Sequence, residues 1–145
     1  MNSNYLVKKL FSYAPIGLLA FVNAACSPIN TLNVLVPNGS YTLQKDIAYG
    51  DLPRQKLDVY QPKLVAKQND GKPPPVVLFY YGGSWESGSK AHYKFAAEAF
   101  ASNGFVTVIP DYRVYPEVVF PDFMADPAKA ARWVKAHIKD RKSVG

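Results

Sequence analysis

Two apolar runs frame the chain. Residues 76–81 (Val-Val-Leu-Phe-Tyr-Tyr) and 105–109 (Phe-Val-Thr-Val-Ile) are apolar on both parities, the pattern of strands covered on both faces of a sheet. Between them Tyr93, Ala96, Ala97 and Phe100 recur at spacings of three or four and predict a helix over residues 90–100, with Asn103-Gly104 as its C-terminal cap. Strand, helix and strand in succession make a βαβ crossover, expected to be right-handed with parallel strands. Upstream, residues 41–49 alternate loosely and residues 56–60 alternate well, with Leu57 and Val59 on one face; Gly50, Asp51 and Pro53 between them predict a β-hairpin, and Pro62 ends its second strand. Residues 63–75 read as a polar surface loop that Pro73-Pro74-Pro75 delivers in extended form to the next strand. After a Tyr- and Pro-rich loop, Pro121 is expected at the first position of a helix reaching about Lys139, with Phe123, Ala130, Ala131, Trp133, Val134 and Ile138 inward. Basic residues at its end complement the helix dipole. The pattern is α/β: a hairpin followed by a parallel βαβα unit. Its sheet is expected to be incomplete, because the alternation calls for another strand where the chain stops at Gly145.

The start of the chain has a different character. Residues 1–9 carry Lys8 and Lys9 and no acid, residues 10–22 are mostly apolar, and Ala24 and Ala25 follow, so residues 1–25 read as a secretory signal peptide. A spanning anchor is disfavoured, since the run is shorter than the roughly 20 residues a helix needs to cross a bilayer and contains Pro15. Val22-Asn23-Ala24-Ala25-Cys26-Ser27 resembles a bacterial lipobox, although Asn23 departs from its aliphatic residue. Either lipidation of Cys26, with membrane association, or ordinary cleavage after Ala24 or Ala25 fits an exported, periplasmic or membrane-anchored bacterial protein. Residues 26–40 show little periodicity and read as a tether or irregular lead-in, which leaves 41–145 as the domain.

Composition narrows the chemistry. At 48% hydrophobic and 14% aromatic, the 145 residues suit one modest globular domain. The charge of +6 falls to +4 without Lys8 and Lys9, and the remaining Lys and Arg form no stripe, which argues against nucleic acid as a partner. One cysteine excludes an intrachain disulfide, and His92 and His137 belong to no metal-ligand motif, so neither metal nor cofactor is expected.

The chemistry-bearing stretch is Phe79-Tyr80-Tyr81-Gly82-Gly83-Ser84-Trp85-Glu86-Ser87-Gly88-Ser89, placed between strand and helix. A glycine pair there lets backbone N–H groups converge on one point, as a developing oxyanion requires. A tight structural turn would use the same residues.

Four ordered segments carry a family resemblance: Leu57-Asp58-Val59-Tyr60-Gln61-Pro62, Gly82-Gly83-Ser84-Trp85 running on to Ser87-Gly88-Ser89-Lys90, Ile109-Pro110-Asp111-Tyr112-Arg113, and Pro116-Glu117 before Phe120-Pro121. Together they resemble the α/β-hydrolase superfamily, in its esterase and lipase branch that includes hormone-sensitive-lipase-like and feruloyl-esterase-like carboxylesterases. The resemblance implies that the Gly83 and Ser84 amides form an oxyanion hole, with Gly82 giving the turn. Tyr81 stands where the family has His, and Ser84 where it has a third Gly. Trp85 would wall the substrate pocket or pack the loop down as a core aromatic. Asp111 and Arg113 are expected to fix loops, His92 and His137 to be solvated or capping, and Glu117 and Asp126 to be helix-entry and surface charges. The Gly-x-Ser-x-Gly elbow, the acid and the histidine that the family uses are not found in this sequence. The resemblance thus implies the N-terminal part of a serine esterase about twice as long, acting on a small-molecule ester. The alternative is a truncated, non-catalytic exported lipoprotein that serves as a binding module.

Overall fold

The computed structural model describes residues 28–63 and 73–138. The signal peptide, Cys26, most of the surface loop before the triple proline and the expected end of the last helix lie outside the described residues. Strands β1 (Tyr41–Ala48), β2 (Lys56–Pro62), β3 (Val76–Leu78) and β4 (Val106–Pro110) form one mixed sheet in the order β1-β2-β4-β3. β1 and β2 are the expected antiparallel hairpin, and β3 and β4 the expected parallel pair. β2 joins the two units by pairing antiparallel with β4, Val59 opposite Val108.

Alternation along the strands sends side chains to two helical layers. Leu57, Val59, Val106 and Val108 pack with Ala130 and Ile138 of one layer, whereas Tyr60 and Ile109 pack with Ala97 and Ala101 of the other. All five residues of β4 are buried, as its two-sided apolar run predicts. Val76, Val77 and Leu78 are only half-buried, because β3 is the outermost strand among the described residues. The ladder also stops at Leu78 instead of reaching Tyr81. Phe79 still donates to Val108 O at 2.8 Å, but the chain then leaves the sheet.

The segment after the glycine loop opens with a 3₁₀ turn, Lys90–Tyr93, capped by the Ser89 side chain, and continues as an α-helix over Lys94–Ala101. Gly104, at φ 84°, closes it: its N–H reaches Ala101 O and that of Phe105 reaches Phe100 O, the two bonds of a Schellman cap. The last helix, Ala125–His137, follows a 3₁₀ turn over Asp122–Met124, so Pro121 caps that turn and is not the first helical residue. Its inward stripe runs through Asp126, Ala130, Val134 and Ile138 at spacings of four, which leaves Ala131 exposed. In place of an irregular lead-in, Pro28–Leu35 forms a helix, termed α1; Lys94–Ala101 is α2 and Ala125–His137 is α3. Periodicity missed α1 because, among its residues 31–35, only Asn33 is half-buried and the aliphatic Leu32, Val34 and Leu35 are exposed.

β1 carries one extra residue against β2 between Gln44 and Ile47, and Asp46 sits at φ 56° in this bulge. The bulge brings Asp46 to Lys90, whose Nζ lies 2.7 Å from both Asp46 Oδ1 and Asp58 Oδ1. Burial opposes the charge on Lys90, but the two carboxylates outweigh it and hold its pKa above the ordinary lysine value. The first residue after the glycine loop is thereby tied to the hairpin.

Candidate functional site

The site lies beyond the C-terminal ends of β3 and β4, where ligand sites of open α/β sheets occur. It is built on a stack of aromatic rings. Tyr81 lies between Tyr112, with ring centroids 4.7 Å apart, and Tyr93, at 5.3 Å. Its hydroxyl donates to Asp111 Oδ1 at 2.6 Å, and the Tyr112 hydroxyl donates to the Tyr81 carbonyl. Burial, then the Asp111 carboxylate, pushes the Tyr81 phenol far above its usual pKa, so it stays a neutral donor. The residue that replaces the family histidine thus holds the loop by its phenol.

Asp111 pins both ends of the loop. The same Oδ1 accepts from Tyr81 before it and from the Lys90 N–H after it, at 2.7 Å. Arg54, from the β1–β2 connection, adds a second clamp: Nε donates to Tyr112 O at 2.8 Å, and Nη2 to Gly88 O at 2.9 Å and to the Tyr81 hydroxyl at 3.3 Å. Nothing in the local sequence pattern singles out Arg54. Its partners lie 27 to 58 residues away along the chain.

Within this frame three consecutive residues have positive φ: Gly83 at 148°, Ser84 at 55° and Trp85 at 62°. A left-handed conformation costs a non-glycine residue about 1–2 kcal/mol, so Ser84 and Trp85 are held there by their surroundings. Gly83 O accepts from Glu86 N at 2.9 Å and Ser87 N at 3.2 Å, and Tyr115 N donates to Trp85 O at 2.7 Å. No acceptor among the described residues takes the N–H of Gly83 or Ser84. Gly82 stands in open space, and the turn falls on the three residues after it.

A pocket of about 350 Å³ opens beside the loop, bounded by Gly82, Gly83, Ser84 and Trp85, by Tyr80, Tyr81 and Tyr112, and by Met124 and Pro127 at the start of α3. Trp85 stacks on Phe123 at 4.8 Å and 7° while also lining this pocket, so it packs the loop down and walls the cavity at once.

The loop-fixing reading of Asp111 and Arg113 fits these contacts. Arg113 donates from Nε and its own N–H to Asp126 Oδ2, at 2.8 and 3.0 Å, and from Nη2 to Oδ1 at 2.9 Å. Asp126, expected at the surface, is 1% exposed and also accepts from Gln55 Nε2 at 2.7 Å. Its place on the inward stripe of α3 was the available signal. Burial alone would raise its pKa, but the bonds from Arg113 and Gln55 prevail and hold it below the usual carboxylate value. Glu117 is exposed, as expected, and His92 and His137 sit in the 3₁₀ turn and at the end of α3, apart from the pocket.

The BD-FAE family model matches residues 57–142. Esterase LipC of Mycobacterium tuberculosis is 35% identical over 99 residues, covering 68% of this chain and 24% of the relative. Isoprenylcysteine alpha-carbonyl methylesterase of Arabidopsis thaliana is 34% identical over 95 residues, 66% of this chain and 21% of the relative. Among solved structures, Esterase B of Lactobacillus rhamnosis, inhibited with a tributyrin phosphonate, superposes with a TM-score of 0.64 at 21% identity, over 100% of this chain and 44% of that one. A thermophilic esterase of Thermogutta terrifontis gives 0.52 at 29% identity, over 71% of this chain and 36% of that one. The chain spans about a quarter of the length of the curated relatives it matches.

Proposed function

Because the chain belongs to the BD-FAE family, within the esterase and lipase branch of the α/β-hydrolases, we propose that it supplies the oxyanion-binding part of an exported carboxylic-ester hydrolase. The observation that carries this reading is the run of positive φ at Gly83, Ser84 and Trp85, with two N–H groups left without an acceptor among the described residues at the edge of a mostly apolar pocket. Donors fixed before reaction lower the barrier by meeting charge where it develops. A serine whose proton passes to a neighbouring histidine attacks the ester carbonyl; the carbonyl oxygen becomes negative and the Gly83 and Ser84 amides hold it while the alcohol leaves with that proton, after which water hydrolyses the acyl-serine. The serine, acid and histidine come from sequence beyond the present chain. Trp85, Tyr112 and Met124 contact the apolar part of the ester.

The test compares the purified 145-residue chain with a chimera that completes it with the C-terminal part of an esterase relative. The chain alone is expected to be inactive toward p-nitrophenyl acetate, and the chimera to show turnover abolished by a serine-directed organophosphonate. A folded but inactive chimera would sink the reading. Inhibitable turnover by the chain alone would place a nucleophile inside it, with Ser84, Ser87 and Ser89 the first to mutate.

We also propose that residues 1–25 are removed on export and that Cys26 becomes an acylated N-terminus. The charged start, the short apolar run and the small residues before Cys26 support this. Mass spectrometry of the mature protein is expected to find Cys26 first and carrying acyl mass. A retained Met1 would refute export, and an unmodified Cys26 terminus would refute lipidation alone.

A further inference from the structure

Over residues 31–35, helix α1 turns its aliphatic side chains to the outside. A surface helix normally turns an apolar stripe to the protein and polar residues outward. Here the anchoring residue is the half-buried Asn33, whose Nδ2 donates to Ala91 O at 3.0 Å and whose Oδ1 accepts from Phe95 N at 3.2 Å. Lys94 Nζ caps the C-terminal end through Val36 O at 3.3 Å. Leu32, Val34 and Leu35 point away, 52%, 84% and 76% exposed. Rolling the helix to hide them would break both Asn33 bonds, so the apolar side is held outward.

We propose that this face of α1 rests in the interfacial region of a lipid bilayer. The inference depends on the reading that Cys26 is acylated. Cys26 stands two residues before Pro28, the first residue of α1, and two residues span at most about 7 Å. An acyl chain at Cys26 therefore holds α1 within the roughly 5–10 Å depth at which interfacial helices bury their apolar side chains. A lipid surface thus meets all three exposed aliphatic side chains, and the acyl chain and the helix form a two-point anchor that sets the orientation of the pocket above the membrane.

The experiment uses the full chain, processed in a bacterial host and reconstituted into phosphatidylethanolamine–phosphatidylglycerol vesicles. An environment-sensitive fluorophore is attached at Leu35→Cys or, as a control, at Ala136→Cys on the exposed side of α3, which packs against the opposite face of the sheet. Acyl mass at Cys26 is measured on the same samples. The expected result is acylated protein in which the Leu35 probe shifts to the blue and is quenched by shallow doxyl-labelled lipid, while the Ala136 probe is not. Adding Leu32→Ser and Val34→Ser, which spare Asn33, should return quenching to the control level with the melting temperature unchanged. Acylated protein with an unquenched Leu35 probe overturns the inference and leaves the anchor standing. A blue-shifted but unquenched probe in a sample with a dimer mass assigns the face to a second copy, and also overturns it. Absence of acyl mass refutes the lipidation reading, and this inference with it.

Discussion

Gly83→Ala in the completed esterase is expected to lower kcat by roughly 10²–10³, the loss that follows removal of one oxyanion donor, whereas Gly82→Ala is expected to leave the donors in place and lower kcat far less. The two glycines are neighbours, so composition and position in the loop are matched. They differ in space and conformation. A Cβ on Gly83 would stand 2.2 Å from the Ser87 carbonyl oxygen at a backbone φ of 148°. Ser87 has little freedom to retreat, because its N–H and that of Glu86 both bond back to Gly83 O. The added methyl therefore displaces the peptide that carries the donors, while a methyl on Gly82 meets nothing within 4 Å. The check is kcat and KM for both variants on an aryl ester. A displaced donor lowers kcat, since it is lost from the transition state and not from ground-state binding. Equal activity of the two variants would remove Gly83 from the oxyanion hole.

Asp126→Ala is expected to cost about 3–5 kcal/mol of folding stability at neutral pH, the range for breaking a buried, hydrogen-bonded ion pair from one side. The substitution strips two bonds from the Arg113 side chain and one from Gln55, itself 4% exposed, and so releases the loop after β4 and the β1–β2 connection together. Asp126→Asn keeps the volume and some of the acceptors and should cost less. The pH dependence has a definite sign. The folded-state pKa of Asp126 is depressed, so its contribution is fully present above the unfolded carboxylate pKa of about 3.9 and is lost as pH falls through the lower, folded value. Denaturant unfolding of parent and Asp126→Ala at pH 7 and pH 3 should therefore show a gap that narrows in acid. A gap independent of pH would mean that the carboxylate is not ionised in its buried setting.

What a residue's own neighbours decide was legible in advance. The hairpin, the parallel pair and the glycine-capped helix all follow from short-range patterns, since a strand alternates and a helix repeats whatever it later packs against. The glycine loop was legible for the same reason: Gly-Gly between an apolar strand and a helix constrains the backbone locally. Even Asp126 left a local trace in its spacing of four from Ala130, but a charged residue on an apolar stripe reads as an exposed one until a partner for it is known.

The partners are what the sequence does not write down. Gln55 and Asp126 are 71 residues apart, Tyr81 and Asp111 are 30 apart, and Arg54 reaches three points on two other loops. Such bonds are settled only when the sheet has brought β2, β3 and β4 side by side, because a buried polar group takes whichever partner the packed chain leaves within reach. The outward exposure of Leu32, Val34 and Leu35 on α1 is a decision of the same kind, fixed by two bonds between Asn33 and the 3₁₀ turn and helix about sixty residues away. By itself the sequence determined the strands, the principal helices and the place of the glycine loop, through local periodicity. Tertiary structure decided which side chains clamp that loop, which carboxylate is buried and which face of α1 is left open, because these depend on contacts between segments that local patterns do not encode.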